Sequence, residues 1–215
     1  MHRILTRGIG WIGLCLVNGM SIHAQQPGAL AGEYYLEGVP EVASGFRLDP
    51  DSSFQFFFSY GVVDRYGSGR WEVRGDRIIF NTLTTHTRDF RLADSSRRPG
   101  DQLVVRITDP NKDLLGFMVC TVHTADTLLT VRTDAEGYAR FRVSHPLRID
   151  LRFLFCPERS TSFPVAGALA NYYGFRPEPW LAEYYFSGYE LHLTPGGLAG
   201  IHPLLAPHPV WFRRQ

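Results

Sequence analysis

The chain is poor in lysine and cysteine and has no long apolar run, and each scarcity narrows the reading. Lys112 is its only lysine, so basic charge rests almost wholly on arginine. The arginines are scattered, and 22 basic side chains stand against 21 acidic ones. That balance gives no support to nucleic-acid binding, which needs a basic patch. No apolar stretch approaches the roughly 20 residues of a membrane-spanning helix. The Gly-x-Ser-x-Gly elbow of common hydrolases is missing. The glycines of Gly67-Ser68-Gly69 are not followed by a helix, so they do not form a phosphate-binding loop.

The first 24 residues read as a secretory signal. Arg3 and Arg7 supply the positive start, Ile9–Val17 a short apolar stretch, and Ser21-Ile22-His23-Ala24 a small-residue end with cleavage before Gln25. Leu14 rather than a small residue precedes Cys15, which argues against a lipid anchor. Loss of this leader leaves 191 residues with 20 basic and 21 acidic side chains. A secreted or periplasmic address follows. Of the 3 cysteines only Cys120 and Cys156 then remain, on predicted strands with matched parity, which permits one disulfide in an oxidising compartment.

What the chain does have is alternation. In Gly45–Thr82, Phe54, Phe56, Phe58 and Tyr60 share one strand face at period two. Phe57 breaks the pattern, so the second face is expected to be partly covered. Turn residues Asp49-Pro50-Asp51-Ser52 precede this strand, and Arg70–Arg74 and Arg77–Asn81 form a hairpin around Gly75-Asp76. Gly32–Leu36 reads as a first strand and Thr84–Leu92 as a further one. Ala93–Asp101 has the composition of a linker. Beyond it, Leu103–Thr108, Gly116–His123, Leu128–Thr133, Tyr138–Val143, Leu147–Phe155 and Phe163–Val165 are short strands with regular turn signals, as in a sandwich or barrel. Ala166–Tyr173 reads as a helical turn, and Glu183–Phe186 with Tyr189–Leu193 as a strand pair. Thr194–Gly200 reads as a loop, His202–Pro209 as a proline-rich segment, and Val210–Arg213 as a last strand.

Candidate chemistry is sparse. Asp109-Pro110-Asn111-Lys112-Asp113 begins like a calcium loop but has Leu114 at the required glycine and Cys120 at the closing glutamate, so it is a turn. His86, His123, His145, His192, His202 and His208 show no metal-binding spacing, and no metal or cofactor is expected. Ser59, Ser68, His86 and Asp89 make a triad only on paper. Glu33, Glu72, Glu183 and Glu190 are expected at outward positions rather than as a glycosidase pair. The aromatics are the remaining signal. Phe56, Phe58, Tyr60 and Trp71 either wall a pocket for an apolar ligand or fill a small barrel, and filling is the stronger expectation.

Two stretches resemble known families. Gly32-Glu33-Tyr34-Tyr35-Leu36, Gly45-Phe46-Arg47-Leu48, Gly69-Arg70-Trp71-Glu72-Val73 and Asp76-Arg77-Ile78-Ile79-Phe80 resemble the lipocalin-like β-barrel proteins secreted by many Bacteroidota. Gln102–Val165 is similar to a carboxypeptidase-regulatory-like, or prealbumin-like, β-sandwich, through Val105–Asp109, Leu115–Val119 and Thr133–Phe141. Such sandwiches usually have no catalytic role. The fold expected is all-β: a lipocalin-like antiparallel barrel or meander with an inserted or appended small sandwich. Residues 32–93 and 166–215 would form the barrel and residues 102–165 the sandwich, because a meander needs further strands to remove its free edges. The expected function is non-enzymatic binding or interaction in the cell envelope, with a protein partner or a small apolar ligand. The alternative is a lipocalin-like carrier. A hydrolase with an unrecognised site ranks below both.

Overall fold

The computed structural model describes residues 27–215, so the signal-peptide reading lies outside the described residues. The first strands are β1 (Gly32–Glu37), β2 (Val42–Leu48), β3 (Ser53–Tyr60), β4 (Val63–Arg74) and β5 (Arg77–Asn81). The chain then builds β6 (Phe90–Ser96), β7 (Leu103–Ile107), β8 (Met118–His123), β9 (Leu128–Arg132), β10 (Tyr138–Phe141), β11 (Arg148–Phe153), β12 (Thr161–Pro164) and β13 (Tyr172–Pro177). It ends in β14 (Ser187–Thr194), β15 (Gly197–Ile201) and β16 (Pro209–Arg214). A short helix, α1 (Pro27–Leu30), precedes β1. No helix among the described residues is long and apolar enough to cross a membrane.

Eight strands close into an antiparallel barrel in the order β1-β16-β15-β14-β5-β4-β3-β2. The early meander is completed by the C-terminal strands at two seams. β14 pairs with β5, Leu191 opposite Ile78, and β16 pairs with β1, Tyr35 opposite Arg213. Strands β6–β13 form two four-stranded sheets, β10-β7-β13-β6 and β12-β11-β8-β9. The two sheets share one core, which includes Val105, Ile107, Met118, Ile149, Leu151 and Phe175. Within the first of them β13 runs parallel to β7. Strands β6 and β13 thus pair with each other, and residues 82–93 and 166–186 contribute no barrel strand.

Local departures from the sequence reading have packing causes. Ala93–Ser96 is not linker but half of β6, an edge strand whose side chains are mostly exposed and therefore polar. Residues 166–171 form no helix. Glu183–Phe186 is not a strand; Glu183 makes one isolated bridge to Tyr66. The hairpin partner of β14 is β15, within the stretch read as a loop. Its glycines are there because strands approach closely. A Cβ on Gly197 would come within 2.2 Å of the Phe212 carbonyl oxygen and 2.5 Å of the Trp211 indole nitrogen.

The barrel interior is filled with aromatic rings. Phe46 lies at its centre, with ring centroids 4.7 Å from Phe80, 4.9 Å from Phe56 and 5.2 Å from Phe212. Phe54, Phe56 and Phe58 alternate inward along β3 as the period-two pattern requires. Phe57, the residue out of pattern, lies on the outer face, where its ring meets Tyr35 edge-on at 6.0 Å over Gly45. At one end α1 closes the barrel. Leu30 is buried there, the Tyr34 hydroxyl donates to the Leu30 carbonyl (2.7 Å), and Arg214 donates to the carbonyls of Ala29 and Ala31.

Because Phe46 touches so many rings that cannot collapse together, Phe46→Ala should cost about 3–5 kcal/mol. Urea denaturation followed by intrinsic fluorescence would show this as a lowered midpoint at unchanged slope.

Candidate functional site

The barrel end opposite α1 is not closed by its own strands. The β3–β4 turn, the loop after β15 and the turn after β11 surround a cleft of about 710 Å³. Phe58, Val63, Leu204 and Leu205 give it an apolar wall, and Tyr60, Tyr184, Arg65, Glu158 and Arg159 bring polar groups. It lies between the filled barrel core and the sandwich.

Arg65 builds the junction. On β4, Val63, Arg65, Gly67 and Trp71 share the inward parity, so strand geometry delivers a guanidinium into the barrel end. Its side chain is 2% exposed. Its Nε donates to the Ala182 carbonyl (3.3 Å) and Nη1 to the Phe155 carbonyl (3.2 Å). Nη2 donates to Glu158 Oε1 (2.5 Å) and to the Glu183 carbonyl (3.3 Å). A cation is tolerated at such depth only when paired and hydrogen-bonded, and here the partners come from the sandwich side of the chain.

A second arginine backs the first. Arg159 Nη2 donates to the carbonyls of Leu181 (2.7 Å) and Trp180 (3.2 Å), and Nε lies 3.2 Å from Asp89 Oδ2. The guanidinium sits 4.5 Å over the Tyr185 ring. Burial pushes the Asp89 carboxyl above its ordinary pKa, against the opposing pull of Arg159. Burial also raises Glu183.

The cleft's loop wall hangs on His202. This imidazole is buried against Phe58 and Phe212. Ser44 Oγ donates to the Phe57 carbonyl (2.8 Å) and lies 3.0 Å from His202 Nε2, while Nδ1 accepts from the Leu204 N–H (3.0 Å). Nε2 therefore carries the proton and donates to Ser44. That orientation is the reverse of a serine nucleophile handing its proton to a base, so the pair is a structural latch.

The residues singled out from sequence divide. Phe58 and Tyr60 line the cleft; Tyr60, the last residue of β3, is 48% exposed. Phe56 and Trp71 are buried in the barrel interior, each 2% exposed, and do not line the cleft, because they pack among the other residues of the barrel core. The Trp71 indole N–H has no hydrogen-bond partner among the described residues. Cys120 and Cys156 are buried free thiols rather than a disulfide. Cys120 lies opposite Leu151, whereas Cys156 lies beyond the end of β11, where its Sγ donates to the Leu181 carbonyl (3.3 Å). Burial pushes these thiols up to about 12 and about 11, which makes both poor nucleophiles. Ser68, His86 and Glu183 line a smaller cleft of about 420 Å³, but no hydrogen bond joins them. Glu72 and Glu190 pair with Arg74 and Arg77 on the barrel exterior. Sequence reading missed Arg65, Glu158, Arg159 and the 203–206 loop, whereas Tyr184 belongs to an aromatic cluster, Tyr184–Tyr189, that it marks as able to line a pocket. Of those missed, only Arg65 carried a signal, as a charge in phase with Trp71.

No known protein family matches the chain, and no curated protein or solved structure shows significant similarity to it.

Burial pushes the His202 imidazole down to about 4, with no charged group contributing. The unfolded chain takes up this proton near the ordinary value of 6.5. It therefore binds more protons than the folded chain between those limits, and stability falls as pH drops through that window. The wild type should lose about 2 kcal/mol between pH 7.5 and pH 5 through this group. Urea titrations at both pH values should find that loss missing from His202→Leu.

Proposed function

We propose that the protein is a non-enzymatic binding protein of the cell envelope or extracellular space, with its ligand site in the cleft between barrel and sandwich. The observation that carries this reading is the 710 Å³ cleft itself, an apolar-walled concavity with a few convergent polar groups at one end of an otherwise filled barrel. The envelope address rests on the leader read in residues 1–24. The closed eight-stranded barrel supports the likeness to lipocalin-like proteins, and the paired four-stranded sheets support the likeness to a prealbumin-like module. A lipocalin-type ligand would occupy the barrel centre. Phe46 and its neighbouring rings hold that space, so binding moves to the mouth. The groups that could do chemistry argue against catalysis: His202 is latched the wrong way for a base, and both thiols are buried.

A second reading, an interaction module, is favoured by β9. This strand ends its sheet, and Leu128 is 56% exposed on it. An uncovered apolar edge is a template for pairing with another chain.

Native mass spectrometry of the mature protein purified gently from its own source separates the two. A retained small molecule supports the cleft reading and gives the ligand's mass. A co-purifying polypeptide with an empty cleft supports the interaction reading and overturns the first.

A further inference from the structure

We propose that the cleft selects an uncharged amphipathic ligand, an apolar chain or ring system that ends in a hydroxyl or carbonyl group. This rests on the cleft being the binding site. Two arginines in its lining would ordinarily point to an anion, and their geometry points the other way.

Arg65 is engaged by four protein acceptors and almost wholly enclosed. Arg159 gives Nη2 to two backbone carbonyls; its Nε lies 3.2 Å from Asp89 Oδ2 as an ion pair, and both Nε and Nη1 are enclosed without a hydrogen-bond partner. The N–H groups left without an acceptor are enclosed by protein, so neither guanidinium presents a donor to a ligand in the cleft. A carboxylate or sulfonate entering the cleft would lose its water and find no cationic donor to offset its charge.

A cation fares no better. The acidic group in the lining, Glu158, has Oε1 held 2.5 Å from Arg65 Nη2, so its charge is already offset by an adjacent guanidinium. Arg65 with Glu158 and Arg159 with Asp89 form two pairs of opposite charge, so each cation of the lining has an anion beside it.

What remains free is neutral. Tyr60 and Tyr184 line the cleft, and neither hydroxyl has a hydrogen-bond partner among the described residues. Each can both donate and accept, which suits an alcohol or a carbonyl. Phe58, Val63, Leu204 and Leu205 receive the apolar body. The volume lies within the range of sites for drug-sized molecules.

The test uses the full chain without its leader and the neutral fluorophore N-phenyl-1-naphthylamine as reporter. Competitors share one chain length and differ only in the head: 1-dodecanol, dodecanoate and dodecyltrimethylammonium, all below their micelle concentrations at pH 7.5. Dodecanol should displace the reporter at a concentration at least about tenfold lower than either ion, a difference set by desolvating an unpaired charge. Leu205→Arg, which adds a charge to a half-buried loop position, should weaken the reporter by a similar factor while the variant still unfolds cooperatively. If dodecanoate matches or exceeds dodecanol while Leu205→Arg alters reporter affinity, the cleft binds but the ligand class is wrong. If the reporter does not bind the wild type, or binds Leu205→Arg equally well, the cleft is not the site and both readings fall.

Discussion

Burying the guanidinium of Arg65 imposes a condition that the structure meets only by bringing distant parts of the chain together. A strand delivers this cation to the inside of a barrel end, and there it needs acceptors in place of water. The acceptors are carbonyls of Phe155, Ala182 and Glu183 and the carboxylate of Glu158, none of them on a barrel strand. Barrel and sandwich are therefore joined by a charge-assisted contact at the point where the cleft opens. The shape of the cleft follows from that contact. So does its electrostatic character, because an arginine that holds the two sheet systems together is enclosed and presents no donor to a ligand.

The rest of the barrel is held together by packing. Phe46 and the rings around it fill the interior, and α1 closes one end through Leu30 and Arg214. The roomier cleft lies at the other mouth, where the loop after β15 crosses. That loop is held by a neutral histidine whose two nitrogens are both occupied. Stability at mildly acid pH and the integrity of the cleft wall consequently depend on the same imidazole.

Much of this was legible where side-chain periodicity is local. The alternation of Phe54, Phe56 and Phe58 announced the inward face of β3, and the short regular strands after residue 102 announced the second sheet system. The all-β class and the closed barrel follow from those patterns and from the need to remove free edges. What could not be read was pairing at long range. The glycines of β15 look like loop residues until Trp211 and Phe212 are seen packed against Gly197. β6 looks like a linker because an edge strand keeps polar side chains. The cleft draws on residues near 60, 157, 184 and 204, so no contiguous motif encodes it. Arg65 stood in the apolar phase of β4, and inward charge at a strand position was the one local hint of the junction.

Differential scanning calorimetry of Arg65→Met beside the wild type tests the dependence on this junction most directly. Methionine roughly keeps the volume but removes the guanidinium from three carbonyls and Glu158, of which the Ala182 carbonyl keeps a second donor in the Tyr66 N–H. The loss should approach about 3 kcal/mol, and barrel and sandwich should then unfold in separate transitions where the wild type unfolds in one. An Arg65→Met protein that melts in a single transition at the wild-type temperature would contradict the account, since the two sheet systems would then be held together by something other than this cation.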